Sequence, residues 1–159
     1  MKKITKTELD RLSSEAANSE RKRKNYNYHD LYSDTLQRML NAMEPGTYVQ
    51  PHKHEDPDKR EAFILLRGRM AVVTFDDAGN ITDHIILDVN EGNYGAEIPD
   101  KTWHTIISLK KGSVIYELKD GPYTPINDKN FAPWAPIEGS EKCSGYLKTI
   151  LKALGLEPD

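Results

Sequence analysis

The chain has 159 residues, the size of one domain with short extensions. Hydrophobic residues make up 37% and charged residues 30%, which supports a compact core and argues against wholesale disorder. A formal net charge of −3 gives no electrostatic reason to expect nucleic acid as a partner, and no apolar run approaches the roughly 18–20 residues of a membrane span. The opening MKKITKTELDRL has no apolar stretch behind its lysines, so it does not read as a signal peptide. The single Cys143 cannot form an internal disulfide, which fits a reducing, cytoplasmic setting.

Taken in order, the chain opens with a helix signature. Thr5 and Glu8 form a T-x-x-E capping box, Ile4 and Leu9 are spaced as a hydrophobic staple, and Leu9, Leu12, Ala16 and Ala17 share one helical face. The basic run Arg21–Lys24 reads as a solvated surface, followed by Asn25-Tyr26-Asn27-Tyr28-His29. Residues 1–36 are thus expected to form a helix and an extended segment lying on the main body. Residues 37–119 read as strands. Turn signals recur at Pro45-Gly46, Arg67-Gly68, Asp76–Asn80, Asn90–Gly92 and Lys111-Gly112. Between them lie runs rich in β-branched and aromatic residues: 62–66, 70–75, 85–89 and 113–118. Leu36, Met39, Leu40 and Met43 have helical spacing, but they run straight into a Pro-Gly turn, so a strand is expected there. Short strands at this spacing suggest an antiparallel sandwich or barrel. Residues 120–159 belong to the same domain. A Pro/Gly/aromatic stretch from Gly121 is expected to wrap a surface as an ordered loop. Leu147, Ile150, Leu151 and Leu154 then mark a short helix, with Gly155 as its C-terminal cap.

Four polar residues stand out against this background. His52 and His54 are two apart, so on an extended strand both imidazoles face the same way, near enough for one metal ion. Two surface histidines beside a turn would look the same. Glu61 opens the apolar run 62–66, where an unpaired buried carboxylate would be costly. His104 opens another apolar run after Pro99. Three histidines and a glutamate at strand mouths suit a divalent transition metal: Fe, Mn, Zn, Ni or Co.

The spacing of Gly46, His52, His54, Glu61 and Gly68 resembles the first motif of the cupin superfamily. That of Gly92, Pro99 and His104 resembles the second. Two departures are present. The gap between His54 and Glu61 is longer than usual, and Lys101 stands where glycine is common, with Ser108 where asparagine is often found. The wider pattern, with PHKHEDPDKRE, LLRGR, EIPDKTWHT, GPY and DKNFAPWAP, is similar to the WbuC-type cupin-fold metalloproteins. The resemblance implies a mainly β, single-domain cupin: a small antiparallel β-barrel or jelly roll with a metal in its mouth. It also implies a link to bacterial surface-polysaccharide synthesis, without fixing a reaction.

Around such a centre, Tyr48, Tyr94, Lys101 and Trp103 are candidates to contact a ligand, and Asn27 and His29 to cover the mouth. Glu117 is a candidate general base, because Ile115, Glu117 and Lys119 share a mixed strand face opposite the apolar Val114, Tyr116 and Leu118. His84 reads as a surface residue. The expected partner is a small polar oxygenated molecule such as a sugar or carboxylate. Two classes of function remain open: a metal-dependent isomerase, lyase or oxygenase, and a non-catalytic binding or sensing module. A metal-free sugar-epimerase-like cupin is a weaker third. A homodimer is also expected, because exposed sheet edges need cover and the Phe131–Trp134 loop and the final helix can supply it, within the chain or across a two-fold interface.

Overall fold

The computed structural model describes residues 1–124 and 129–158. Residues 125–128, in the middle of the stretch read as an ordered loop, lie outside them, as does residue 159. Two five-stranded antiparallel sheets face each other. The first has the order β1-β2-β9-β4-β7, from Arg23–Asn27, Leu36–Met43, Ser113–Asp120, Glu61–Arg67 and Gly95–Ile98. The second has the order β10-β3-β8-β5-β6, from Asn130–Phe131, His52–Lys53, Trp103–Ser108, Met70–Phe75 and Ile81–Leu87. Among the described residues no helix is long and apolar enough to cross a membrane.

Helix α1 spans Lys6–Ala17, and the Thr5 hydroxyl accepts from the Glu8 amide at 3.3 Å. The capping box is only half closed, because Glu8 turns its carboxylate to Arg11 and the Tyr28 hydroxyl. Ile4 is exposed, so the staple does not form. Leu12 and Ala16 pack with Tyr28, Leu40, Ala42 and Val114 on the outer face of the first sheet. Helix α2 spans Lys142–Ala153, and Gly155 follows it in the left-handed region at φ 65°. Cys143, Leu147, Ile150 and Leu151 pack on the outer face of the second sheet against Val73, Phe75, Trp103 and Ile107. The apolar face of α2 is therefore satisfied within its own chain, which removes it as cover for a two-fold interface.

Between the sheets lies a third cluster: Met43, Phe63, Leu65, Met70, Val72, Leu87, Ile98, Ile106 and Ile115. Strand alternation explains the layering. Leu40 and Ala42 of β2 point out toward α1, while Gln37, Met39, Asn41 and Met43 point in. One glycine is obligatory for closing the barrel. Gly68, at φ 87° between β4 and β5, lies so close to Ser113 that any Cβ would collide with its backbone.

The segment 23–27 is a strand that its sequence does not announce. It pairs with β2 from Arg23↔Met43 to Asn27↔Met39 but is largely exposed. An edge strand of this kind lacks apolar alternation, and its charges discourage pairing with other chains. Arg23 is also less solvated than its basic run suggests, since it donates to both carboxylate oxygens of Glu138 at 2.6 and 2.7 Å.

Candidate metal centre

His52 lies in β3, directly opposite His104 of β8. His54 follows one residue past β3, and Glu61 opens β4 of the facing sheet. All four side chains are buried, and one ligand-type atom from each lies within 4.8 Å of the others. The rings of His52 and His104 are 4.5 Å apart between centroids, and those of His52 and His54 are 5.2 Å apart. Six residues separate His54 from Glu61, and the longer spacer still returns the carboxylate to the cluster.

Hydrogen bonds orient the imidazoles. His52 Nδ1 lies 3.0 Å from the Gln50 carbonyl, and His104 Nδ1 lies 2.8 Å from that of Thr102. A carbonyl only accepts, so each Nδ1 carries the proton and each Nε2 is left with a lone pair. His52 Nε2 is buried and has no hydrogen-bond partner. His104 Nε2 faces the Glu61 carboxylate at 2.9 Å, and His54 Nε2 faces it at 3.5 Å. Lone pairs converging on a carboxylate need a cation among them, either a proton or a metal ion. A divalent ion fits this donor set: three imidazole nitrogens and one carboxylate oxygen, pre-aimed and dry. Burial, helped by the charge of Lys129, pushes the His52 imidazolium well below its ordinary range, which favours the neutral ring that a metal ligand requires. Burial would raise the Glu61 carboxyl, but the side chains of His104, His54 and Glu117 that face it outweigh burial and hold the group well below the usual carboxylate range.

The cluster forms the floor of a cavity of about 680 Å³, lined by His52, Glu61 and His104 together with Asn27, His29, Met39, Asn41, Phe63, Glu117, Lys119, Tyr123 and Lys129. Glu117 thus faces the cavity from β9. Burial and the neighbouring charge of Glu61 push its carboxyl well above the ordinary range, which favours its protonated form beside Glu61. Asn41 Nδ2 donates to Glu117 Oε2. His29 is buried in the wall, where Nδ1 accepts from the Arg38 amide at 3.1 Å, and Asn27 reaches the cavity from the edge strand.

Four candidate contacts lie elsewhere. Trp103 is adjacent to His104 on β8, so alternation sends it to the outer face, where Nε1 donates to Asp77 at 2.8 Å under α2. Tyr48 is buried in the same outer cluster and donates to the Pro136 carbonyl at 2.8 Å. Lys101 is an exposed turn residue paired with Asp58 at 2.9 Å. It takes φ 58°, the left-handed conformation that the glycine common at this position in cupins adopts freely. Tyr94 is 60% exposed beside β7. Asn41, Lys119 and Tyr123 also line the cavity, and no local sequence pattern marks Asn41 or Tyr123. Lys119 had a visible signal, since it shares the inner face of β9 with Glu117.

Residues 4–87, more than half of the chain, match the family described as "Domain of unknown function (DUF6016)". No curated protein matches the chain. Several solved structures share its fold. L-ribose isomerase from Cellulomonas parahominis gives a TM-score of 0.54 at 14% identity, covering 77% of this chain and 71% of that one. KdgF from Halomonas sp. gives 0.50 at 16% identity, covering 64% and 82%. Oxalate decarboxylase from Bacillus subtilis gives 0.51 at 17% identity, covering 84% of this chain but only 32% of the enzyme, so the chain spans about a third of its length. These likenesses identify the architecture as the cupin fold.

Proposed function

Because the chain belongs to the DUF6016 family, whose description assigns no reaction, its chemistry has to be read from the site, and we propose that it is a metal-dependent cupin acting on a small oxygen-rich molecule. His52, His54, Glu61 and His104 hold one divalent transition ion. The observation that carries this reading is the buried Nε2 of His52, left without a partner while its Nδ1 is pinned and the other three side chains converge beside it. A bound ion of this class supplies Lewis-acid polarisation or activation of a ligand oxygen. The chain's own residues do the rest. Glu117 holds a proton at the cavity wall next to Glu61, placed to serve a reacting oxygen or carbon as general acid and, once deprotonated, as base. Asn41 fixes its carboxyl, and Asn27 and His29 present polar groups to ligand hydroxyls from the edge-strand side of the same sheet. Isomerase, lyase and oxygenase chemistry all fit such a site, with a catalytic role favoured over plain binding by Glu117, a proton carrier beside the cluster that metal binding does not require.

The link to surface polysaccharide rests on the WbuC-type resemblance alone. The homodimer reading is supported by exposed apolar side chains at Ile64 and at Tyr94, whose neighbour Gly95 pairs with Ile64. Sedimentation as a monomer at tens of micromolar rejects it.

The functional reading is tested by stripping the protein with chelator and titrating back Fe(II), Mn, Co, Ni and Zn by calorimetry. One equivalent of at least one ion is expected to bind, with a raised melting temperature. Absence of binding by all five overturns the metal centre.

A further inference from the structure

We propose that Gln50 is a positioning residue for the metal centre, and that the segment 136–138, outside the barrel strands, braces it and so sets how tightly the ion is held. The inference rests on the metal-centre reading and deepens it, from the four ligands to what aims one of them. The need for a brace follows from the sheets. Strand β3, which carries His52, is two residues long and meets β8 at one register position, His52↔His104. By contrast β8 is paired with β5 over six positions, and β4 with β9 over six. Backbone pairing therefore fixes His104 and Glu61 more firmly than His52.

Outside a ladder, a buried backbone group needs some other partner. In the lead-in to β3, the carbonyls of residues 48–51 all have one. Arg23 Nη1 donates to the Tyr48 carbonyl at 2.7 Å, the Thr105 hydroxyl to that of Val49 at 2.7 Å, and the Ala132 amide to that of Pro51 at 2.9 Å. The Gln50 carbonyl is the one given to the metal centre, 3.0 Å from His52 Nδ1. The Gln50 side chain ties this peptide down. It is buried, and its Oε1 accepts from the Glu138 amide at 3.2 Å. The Tyr48 hydroxyl donates to the Pro136 carbonyl at 2.8 Å, and Arg23 spans the Tyr48 carbonyl and the Glu138 carboxylate. Two direct bonds and one arginine bridge thus staple 48–50 to 136–138. Without the bond from Gln50 to residue 138, the Gln50 carbonyl is free to turn from Nδ1. The ring then loses the partner that fixes its tautomer and the aim of Nε2. A ligand that must be re-aimed on binding holds the ion less tightly, because its ordering is then a cost of binding.

The test measures cobalt(II) affinity by competition titration, with the visible absorption of the bound ion, in the parent, Gln50→Met, Gln50→Glu, Glu138→Gln and Leu147→Ala. Gln50→Met keeps the volume and removes the acceptor. It is expected to bind cobalt about tenfold more weakly, at the low end of what losing an outer partner of a metal-bound histidine costs, with a shifted absorption band. Gln50→Glu keeps an acceptor oxygen and should recover most of the affinity. Glu138→Gln weakens the bridge to Arg23 at a half-buried position and should show a smaller loss in the same direction. Leu147→Ala loosens the fold from under α2 and should leave affinity and absorption at the parent level, which separates positioning from general destabilisation. Should Gln50→Met fail to fold, Glu138→Gln carries the same test. Parent-level affinity and absorption in the tested variant, or an equal loss in Leu147→Ala, overturns the proposal while leaving the metal centre standing. A parent that takes up no cobalt overturns the metal centre, and the brace with it.

Discussion

Along β4, Glu61 is followed on the same inner face by Phe63 and Leu65. Along β8, His104 is followed by Ile106, and along β9 the order runs from Ile115 to Glu117 and Lys119. The same three strands therefore build a dry end and a polar end of one barrel. At the dry end the side chains have no orientation to keep beyond filling volume. At the polar end three groups are held by named partners: Gln50 and Thr102 carbonyls for two imidazoles, and Asn41 for Glu117. The dry end supplies stability and fixes strand register. That register places the donor atoms within reach of one ion.

The largest expected effect falls on the dry end. Leu65→Ala removes a buried side chain from the inner cluster and should cost about 2–5 kcal/mol in urea unfolding. Metal bound per folded molecule should be unchanged. A smaller loss with impaired metal retention would show that the two ends are not separable.

The polar end should respond to chelator and acid instead. At a free metal concentration a hundredfold above its dissociation constant, the ion adds about 2.7 kcal/mol, lost on chelation. Acid should remove the ion as well, because protons compete for imidazole nitrogens as pH falls below about 6.5. The metal-free fold should weaken over the same range. His52 resists protonation when folded, so below about pH 6.5 the unfolded chain binds the extra proton and stability falls until the lowered folded pKa is passed. A metal-free melting temperature that stays flat from pH 7 to 5 would contradict this.

Glu117 carries the opposite sign. Its folded carboxyl is raised, so it contributes stability below the unfolded value of about 4.3 and loses it as pH rises toward the folded one. Glu117→Gln keeps a donor toward Glu61 and should stabilise the metal-free protein at neutral pH while abolishing any proton transfer. A destabilised Gln variant would mean that Glu117 is ionised in the fold.

How legible these two ends were follows from particular residues. The inner face of β9 was readable because Glu117 and Lys119 break an apolar pattern at period two. The same rule, applied one residue back from His104, sends Trp103 outward, so proximity in sequence misled where alternation did not. Tyr48 was ambiguous for another reason. A tyrosine buries its ring and satisfies its hydroxyl on either side of a sheet, and here α2 and the Pro136 carbonyl claim it. Strand β1 was hidden because its exposed edge needs no apolar face. Asn41 and Tyr123 reach the cavity only through the pairing of β2 with β9 and the path after β9, long-range features that a local pattern does not carry.

The smallest effect lies outside the barrel. Thr5→Ala removes the α1 cap and should cost about 1 kcal/mol, without altering metal binding or its pH dependence. A change in metal affinity would show that the outer helix is coupled to the polar end through β2.

Four buried side chains, His52, His54, Glu61 and His104, are proposed to form one metal centre. Metal analysis of His104→Ala beside the parent, both purified and dialysed identically, tests it most directly. One tightly held equivalent is expected in the parent and none in the variant, with both proteins folded by circular dichroism. A full equivalent retained by His104→Ala would contradict it.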